Sequence, residues 1–335
     1  MNRTLKLMVC ALLLCVTASA QSLNGAGATF PNPIYQKWFT QYSSAHSGVQ
    51  INYQSLGSGA GIRQLIAGTV DFGASDGPMT DEQLAQVHGK VLHIPTVLGA
   101  VVPAYNIPGV KQELKFTPEI LAGIFLGKIN NWNDASIAKS NPGVKFPNLP
   151  IIVVHRSDGS GTTYIFTDYL SKVSQEWTSN VGKGTSVKWP VGLGGKGNEG
   201  IAGQVRQMDG AIGYVELIYA VQNNITYGQV RNKSGNFIKA SLDSTTAAAA
   251  SAAANMPDDY RVSITNPDGK NAYPIASFTW LLIPQQSKDA AKGKVLHDFV
   301  DWMLKDGQSQ ASALSYAPLP KEVVKKLKTT IATIH

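Results

Sequence analysis

The sequence predicts an α/β protein built on mixed, mainly parallel sheets. Two observations carry this prediction: short apolar runs of strand length recur along the chain, and segments with apolar residues at helical spacing separate them. Strands that alternate with helices tend to pair in parallel, because each helix returns the chain to the same edge of the sheet. With 43% hydrophobic and 15% charged residues, the composition is that of a globular chain and excludes a disordered one.

The first third of the chain predicts two helices and two strands. Pro31 suits a first helical turn, and apolar residues recur at every fourth position from Ile34. Apolar and polar residues alternate from Val49 to Tyr53, which predicts a strand. After a glycine cluster, apolar residues at helical spacing predict a helix over 62–66, and a short apolar strand follows at 70–73.

The later elements follow the same pattern. Ile151–Val154 is a β-branched run that predicts a strand, and the helix predicted over Tyr164–Val173 follows it after a glycine-rich loop. Ala211–Val215 and Phe278–Ile283 predict further buried strands. Ala247–Ala254 contains seven alanines and one serine, and alanine is the best helix former, so a surface helix is favoured over a linker.

Two extended apolar stretches, Thr96–Tyr105 and Tyr273–Ile283, can act as crossovers between two lobes. A chain that crosses twice forms one discontinuous lobe and one inserted lobe, with a ligand cleft between them. This interpretation assigns 21–98 and 276–335 to lobe 1 and 99–275 to lobe 2.

The first twenty residues have the pattern of an export signal. Arg3 and Lys6 give a positive start, Leu7–Val16 is an apolar run, and Ala18–Ala20 supplies small residues for cleavage after about Ala20. The run is too short to span a bilayer comfortably, so an N-terminal membrane anchor is disfavoured, as is a lipid anchor at Cys15. We therefore expect a secreted, periplasmic protein.

Cysteine usage and charge exclude several function classes. Both cysteines, Cys10 and Cys15, lie in the predicted signal, so the mature chain has no disulfide, thiol chemistry or cysteine metal site. Loss of Arg3 and Lys6 leaves 27 basic residues against 22 acidic ones, a net charge of +5 in place of +7. The positive charge is dispersed, with one dense run at Lys325–Lys328, which disfavours a nucleic-acid partner and still attracts small anions.

Three segments place small or hydroxyl-bearing residues just before a helical pattern. Unpaired N–H groups at a helix start attract anions, glycine lets the backbone approach them closely, and Ser or Thr adds a side-chain donor. One such segment is most often an ordinary helix cap, whereas three in one chain favour a shared oxyanion site. The segments are Gly25–Pro31, Gly57–Gly61 and Asp158–Thr163.

Arg156 stands at the end of a predicted strand, two residues before Asp158. A guanidinium matches a tetrahedral oxyanion through two parallel hydrogen bonds, which lysine does not offer. Strand alternation puts both side chains on one face, where Asp158 can orient the guanidinium. The alternative is an exposed ion pair of little energetic consequence.

Asp76 follows the short strand at 70–73 and precedes Gly77-Pro78, so a turn or helix cap is its ordinary interpretation. A more specific hypothesis rests on protonation. Phosphate keeps at least one proton at neutral pH, and sulfate has none. A buried carboxylate among donors would accept a hydrogen bond from phosphate and would face sulfate as an unmatched acceptor.

Enzyme signatures are weak in this sequence. The Gly-Lys-Ser/Thr of phosphate-binding NTPase loops and the Gly-x-Ser-x-Gly nucleophile elbow are both missing, and the six histidines show no paired metal spacing. Gly192–Gly197 satisfies the dinucleotide pattern, but no clear strand precedes it. Ser160 as a nucleophile would need a base, and His155 is not obviously placed to serve. No catalytic residue, metal or cofactor is therefore expected.

Several ordered strings along the chain resemble the phosphate-binding proteins of ABC-type phosphate importers, from about Asn24 to Pro320. One departure is His155, which stands where close relatives often carry a second basic residue. The strings are Gly25–Pro31, Val70–Asp76, Asp158–Thr162, Trp189–Gly197 and Gly210–Val215.

This resemblance implies a two-lobed periplasmic binding-protein fold of type II, which closes on one phosphate and delivers it to membrane permease subunits of the importer. It also implies a monomer with no enzymatic activity. By the family's pattern, Asp76 would accept the phosphate proton and Asp158 would orient Arg156. The residues implied to bind phosphate are Thr29, Phe30, Ser58, Asp76, Arg156, Ser160, Gly161 and Thr162. Another oxyanion, sulfate or molybdate, is the alternative ligand that Asp76 argues against.

Overall fold

The computed structural model describes residues 21–335, and the predicted signal over 1–20 lies outside the described residues. The strands alternate with helices along most of the chain, as the sequence predicts. In chain order the strands are β1 Gln21–Gly27, β2 Val49–Ser55, β3 Phe72–Ser75, β4 Val91–Tyr105, β5 Lys115–Phe116, β6 Ile152–Arg156, β7 Leu193–Gly195, β8 Ala211–Glu216, β9 Thr226–Tyr227, β10 Gln229–Arg231, β11 Phe237–Ile238 and β12 Ala276–Pro284.

Each helical segment predicted from the sequence lies within one of the observed helices. Two short 3₁₀ turns at Gly307–Gln310 and Ser312–Leu314 precede the last helix. The α-helices are α1 Asn32–Ala45, α2 Ser58–Ile66, α3 Asp81–Leu84, α4 Pro118–Phe125, α5 Ala135–Ser140, α6 Gly161–Val173, α7 Gln175–Asn180, α8 Gly197–Gln207, α9 Leu217–Gln222, α10 Leu242–Ala254, α11 Ala290–Lys305 and α12 Lys321–Ile331.

One nine-stranded mixed sheet runs through the described residues in the order β2-β1-β3-β12-β4-β8-β6-β7, with β9 paired to β4. Pairing is parallel on both flanks, where β1 joins β2 and β3 and where β6 joins β7 and β8. It is antiparallel at the centre, around β12 and β4. Each parallel flank ends its strands toward the centre of the molecule, which is where ligands of open α/β sheets lie.

The long strand β4 belongs to both flanks. Its first part, from Val91 to Ala100, pairs with β12, and its last part, from Val101 to Tyr105, pairs with β8. Every residue of β4 is buried. The predicted extended stretch Thr96–Tyr105 lies within β4. Most of the other stretch, Tyr273–Ile283, lies in β12, and both strands run through the centre of the sheet.

Two aromatic clusters fill the core on either side of that centre. On one side the ring of Phe39 lies 5.7 Å from Phe72 and 5.2 Å from Phe299, centroid to centroid. On the other side Phe166 lies 4.7 Å from Phe125 and stacks on Tyr214 at 4.5 Å. Each such pair contributes about 0.5–1.5 kcal/mol beyond the burial of its apolar area. The segments that end near the centre of the sheet are thus anchored by packed aromatic cores.

The alanine-rich segment forms the last part of α10, as predicted, and Ser241 caps the helix through the backbone N–H of Ser244. It is not wholly a surface helix, because Ala248 and Ala249 are fully buried. This face of small residues lets α10 lie closely on β4, β12 and α12.

The irregular chain between α10 and β12 contacts both flanks of the sheet. Arg261 bonds to the Asp81 carboxylate at 2.6 Å, on the β1 side. Two and four residues later, Ser263 and Thr265 each donate to Asp168 Oδ2 of α6 at 2.6 Å, on the β6 side. Among residues 21–335, no helix combines the length and the apolar character that a membrane crossing requires.

Candidate functional site

Three helix starts converge beside the centre of the sheet. Thr29 and Phe30 precede α1, Ser58 is the first residue of α2, and Gly161 is the first residue of α6. The backbone N–H of Gly161 donates to Ser58 Oγ at 3.0 Å, which places the starts of α2 and α6 in direct contact. Helix starts carry the positive end of the helix dipole and unpaired N–H groups, so their convergence creates an anion-binding environment.

Three buried N–H groups in this place have no partner. Across residues 21–335, the backbone N–H groups of Phe30, Ser58 and Thr162 meet no protein acceptor in hydrogen-bonding geometry. All three residues are fully buried. A buried N–H group without an acceptor costs about 1–3 kcal/mol, and native proteins satisfy nearly all of them. These donors are therefore available to the acceptor atoms of a ligand.

Arg156 supplies a fixed positive charge at the end of β6. Its Nε and Nη2 donate to the two carboxylate oxygens of Asp158, at 2.7 and 2.5 Å, and Nη1 reaches Thr162 Oγ1 at 3.4 Å. Burial acts to raise the pKa of Asp158, but the hydrogen bonds and the charge of Arg156, together with the Gly197 N–H, hold it below its usual value. The pair is a two-pronged buried contact, and the exposed-pair alternative is excluded by the 1% exposure of the Arg156 side chain.

Asp76 lies one residue beyond β3 and is 1% exposed. Thr279 Oγ1 donates to its Oδ1 at 2.8 Å, and Ser58 Oγ lies 3.5 Å from its Oδ2. Burial raises the pKa of the Asp76 carboxyl to about 7, although Thr279, Arg156 and Ser58 each act to lower it. At neutral pH this carboxyl can therefore either accept or donate a hydrogen bond.

Asn198, the second residue of α8, links the two sides of the site. Its Nδ2 donates to Thr29 Oγ1 at 2.8 Å and to Thr162 Oγ1 at 3.0 Å. Tyr219 adds a hydroxyl that donates to the Thr29 carbonyl at 2.5 Å. The start of α1 is thus bonded directly to residues of α8 and α9, and through Asn198 to Thr162 of α6.

Glycines permit the close approach of the segments. A Cβ on Gly57 would lie 2.3 Å from Asp158 Oδ2, and its φ of +95° is itself a conformation that favours glycine. A Cβ on Gly161 would lie 2.5 Å from Asp76 Oδ2. The backbone N–H of Gly59 donates to the Gly159 carbonyl at 2.8 Å. The cleft is closed in this structure, with backbone against backbone at its rim.

Ser160 serves as a helix cap. Its Oγ accepts from the N–H of Thr163 at 3.0 Å, as an N-cap of α6. His155 stacks on Trp189, with ring centroids 4.9 Å apart, and its Nδ1 contacts the Arg156 carbonyl. Within the described part of the chain, no group of three His, Cys, Asp or Glu residues could hold a metal ion.

The residues predicted from the sequence to bind phosphate come together here. Asp158 lies behind Arg156, as predicted. The predicted residues that gather at this place are Thr29, Phe30, Ser58, Asp76, Arg156, Ser160, Gly161 and Thr162.

Sequence reasoning missed two buried polar residues of the site, Asn198 and Thr279. Thr279 is the polar residue within the apolar strand Phe278–Ile283, and a hydroxyl in a buried run is a usable signal. Asn198 directly follows the glycine pattern at 192–197, which matches a dinucleotide motif and belongs to one of the strings that carry the family resemblance, but which assigns no role to the residue after it. Its role depends on contacts with residues 169 and 36 positions away, and these have no local signature.

The chain matches the PBP superfamily domain over residues 16–306. It is 48% identical to the phosphate-binding protein PstS of Pasteurella multocida over 314 residues, which cover 93% of this chain and 90% of that protein. The chain belongs to the phosphate-binding protein family. The PstS proteins of Haemophilus influenzae and Methanocaldococcus jannaschii are 46% and 38% identical, covering 93% and 89% of this chain and 93% and 82% of theirs.

Solved structures of the phosphate-binding protein family share the fold. A phosphate-binding protein from Stenotrophomonas maltophilia superposes with a TM-score of 0.69 at 22% identity, covering 92% of this chain and 93% of that one. A substrate-binding protein with bound phosphate from Clostridium perfringens superposes at 0.66 with 17% identity, covering 90% and 100%. The predicted two-lobed periplasmic binding-protein fold is confirmed.

Proposed function

We propose that this protein captures inorganic phosphate in the closed cleft and delivers it to the membrane permease of an ABC-type phosphate importer. The observation that carries the proposal is the set of buried, unpartnered N–H groups of Phe30, Ser58 and Thr162 around one place. Its relatives at 46–48% identity are phosphate-binding proteins, and the site residues match that ligand.

Each wall of the cleft has a distinct task. The starts of α1 and α2 would supply donors from Thr29, Phe30 and Ser58. The start of α6 would supply them from Thr162, next to Gly161, whose own N–H donates to Ser58 Oγ. Arg156 would balance the negative charge, and Asp158 would hold the guanidinium in the plane that matches two phosphate oxygens. The whole array consists of donors, with Asp76 as the exception.

Asp76 would determine which oxyanion the site binds. Its carboxylate accepts a hydrogen bond from an oxyanion that carries a proton, as phosphate does at neutral pH. A fully ionised oxyanion such as sulfate would face an acceptor with an acceptor, and a buried unmatched group of this kind can cost four to five orders of magnitude in affinity, about 10⁴–10⁵-fold.

We also propose that the protein performs no catalysis. A phosphatase-like enzyme needs a metal cluster or an activated nucleophile. Ser160 Oγ accepts from a backbone N–H, and His155 is occupied by Trp189 and the Arg156 carbonyl. The contacts of both residues favour a binding role.

The lobes would be 21–98 with 276–335, and 99–275. The change of β4 partners at Ala100–Val101 supports this boundary. Opening would separate the lobes and expose the anion, as in hinge-type binding proteins. We expect the mature protein to act in the periplasm as a monomer, after cleavage near Ala20.

Calorimetric titration of the purified protein with phosphate and with sulfate tests the proposal. Phosphate should bind at pH 8 and sulfate should not. Sulfate binding should appear as pH falls below about 7, because the protonated Asp76 can then donate to a sulfate oxygen.

The Asp76→Asn variant serves as the matched control. Its amide can donate at every pH, so it should bind sulfate without that pH dependence and bind phosphate more weakly than the unmodified protein. Comparable binding of sulfate and phosphate by the unmodified protein at pH 8 would refute the role of Asp76.

A further inference from the structure

Two hydroxyl groups of the phosphate site, those of Thr29 and Thr162, have the same pattern of hydrogen-bond donors around them. A hydroxyl has one hydrogen to donate and two lone pairs to accept with. Thr29 Oγ1 accepts twice from Asn198, from its Nδ2 at 2.8 Å and its backbone N–H at 3.2 Å. Thr162 Oγ1 also accepts twice, from Asn198 Nδ2 at 3.0 Å and from Arg156 Nη1 at 3.4 Å.

With both lone pairs occupied, each hydroxyl can only donate through its hydrogen. Within residues 21–335 neither hydroxyl has a protein acceptor for that hydrogen, and both residues are buried, at 3% and 0% exposure. The two hydrogens therefore remain for a ligand oxygen. Ser58 Oγ also accepts twice, from the N–H groups of Gly161 and Asp76, but its own hydrogen is directed to Asp76 Oδ2 at 3.5 Å.

The orientation of the Asn198 amide is fixed by a contact on its other side. Its Oδ1 accepts from the backbone N–H of Glu216 at 2.9 Å. Because a backbone N–H can only donate, the oxygen must face Glu216 and the NH₂ group must face the two threonines. Each of the two amide hydrogens then serves one threonine, one from each side of the cleft.

The charged groups around Asn198 do not compete for its amide. Arg156 donates to the same Thr162 hydroxyl as Asn198 does, and Glu199 Oε1 lies 3.2 Å from the Tyr219 hydroxyl. The side chain of Glu216 turns to the N–H of Ile218, and burial raises its pKa well above the usual range. The amide therefore sets the direction of both threonine hydroxyls.

We infer that Asn198 is a specificity-determining residue that acts through Thr29 and Thr162, forcing both hydroxyls to present hydrogens to the anion. This role rests on the proposed function. An array that offers only hydrogens leaves Asp76 as the acceptor in the cleft, so the ligand proton has one place to go. Asn198 thus sharpens the selection of a singly protonated oxyanion.

The Asn198→Asp variant reverses the polarity with almost no change of shape. A carboxylate at 198 accepts from both threonines and turns their hydrogens away from the ligand. We expect a loss of phosphate affinity of about 100-fold or more at pH 8, since each hydrogen bond to a charged group corresponds to roughly 10- to 100-fold. Below the pKa of the new carboxyl, its proton restores one donor, so the ratio of the variant Kd to the unmodified Kd should fall.

Two further variants separate polarity from packing. Asn198→Ala removes the donor without adding an acceptor, and its loss should be smaller than that of Asn198→Asp. Asn232→Asp changes another buried asparagine, whose Nδ2 donates to the carbonyls of Gly269, Lys270 and Ala272 and to no residue of the site. Its Kd ratio should stay near one at every pH.

A double-mutant cycle does not depend on the acidic variant folding. If Asn198 acts through the hydroxyl of Thr29, the loss caused by Asn198→Ala should shrink in the Thr29→Val background. Two results would overturn the inference. One is full additivity of the binding losses of Asn198→Ala and Thr29→Val. The other is a Kd ratio for Asn198→Asp that does not change with pH and equals the ratio for Asn198→Ala. Failure of the unmodified protein to bind phosphate would instead refute the proposed function.

Discussion

The Gly159→Ala variant tests whether closure of the cleft contributes to phosphate affinity. A Cβ on Gly159 would lie 3.1 Å from the Cα of Gly59 and 3.6 Å from its nitrogen. The backbone of Gly159 has no left-handed φ, so alanine is compatible with its local conformation. The added methyl group therefore acts on the contact between two segments and leaves each segment intact.

The structure gives the size of the effect. Non-bonded carbon atoms prefer about 3.5–4.0 Å, so the rim must separate by roughly 0.5 Å. The hydrogen bond from the Gly59 N–H to the Gly159 carbonyl is 2.8 Å long, and that displacement would take it to about the limit of good geometry. Loss of this bond and the residual crowding cost about 1–2 kcal/mol, which corresponds to roughly 5- to 30-fold in Kd.

Isothermal titration with phosphate, together with urea unfolding in its absence, measures both consequences. The Kd should rise as stated, while the free energy of unfolding without phosphate should change by less than about 0.5 kcal/mol, as for a surface substitution. Gly203→Ala is the matched control, because a Cβ there meets no atom within 4 Å. It should stabilise α8 by up to about 1 kcal/mol and leave the Kd unchanged.

Two outcomes would refute this reasoning. Phosphate binding by Gly159→Ala within twofold of the unmodified protein would show that the rim contact does not accompany binding. An equal loss in Gly203→Ala would show that any added methyl group has the same effect.

Two other predictions concern buried charges. Arg156→Ala should weaken phosphate binding by about 2–5 kcal/mol in calorimetry, because a desolvated charge loses its partner, and a loss below about 1 kcal/mol would contradict that role. Burial acts to raise the pKa of Asp168, but hydrogen bonds from Lys183 and two hydroxyls and the charge of Lys172 lower it to about 2. Its contribution to stability is therefore present above pH 4 and should be lost between about pH 4 and 2. Asp168→Asn should cost about 2 kcal/mol in urea unfolding at pH 7 and much less near pH 2, and a pH-independent cost would contradict this assignment.

Most of the fold could be predicted because its signals are local. The β-branched run at Ile151–Val154 overlaps β6, which begins at Ile152, and the apolar run at Ala211–Val215 lies within β8. Both predictions succeed because a buried strand needs apolar residues on both faces. The strand predicted at 70–73 begins two residues later, at Phe72. The antiparallel centre of the sheet follows from which strands meet across the molecule, and no local pattern records that.

The candidate site likewise has residues with a local sequence signal and residues whose role depends on long-range contacts. Ser58 and Ser160 stand at helix starts, where short sequence patterns and helix physics point to anions. The links made by Asn198 and Thr279 join residues 169 and 203 positions apart, so only the folded chain brings them together. The pKa of Asp76 likewise depends on burial by distant segments, although its residue type was sufficient to suggest its role.

The complete burial of the site has a kinetic consequence. Arg156 and Thr162 are 4% and 0% exposed, and the rim is sealed by the backbone of Gly59 and Gly159. An anion inside can leave only after the rim bond and the Asn198 bonds break together. Its residence time would then be governed by the rate at which the protein opens. The membrane permease would have to promote opening by binding the open form more tightly than the closed form.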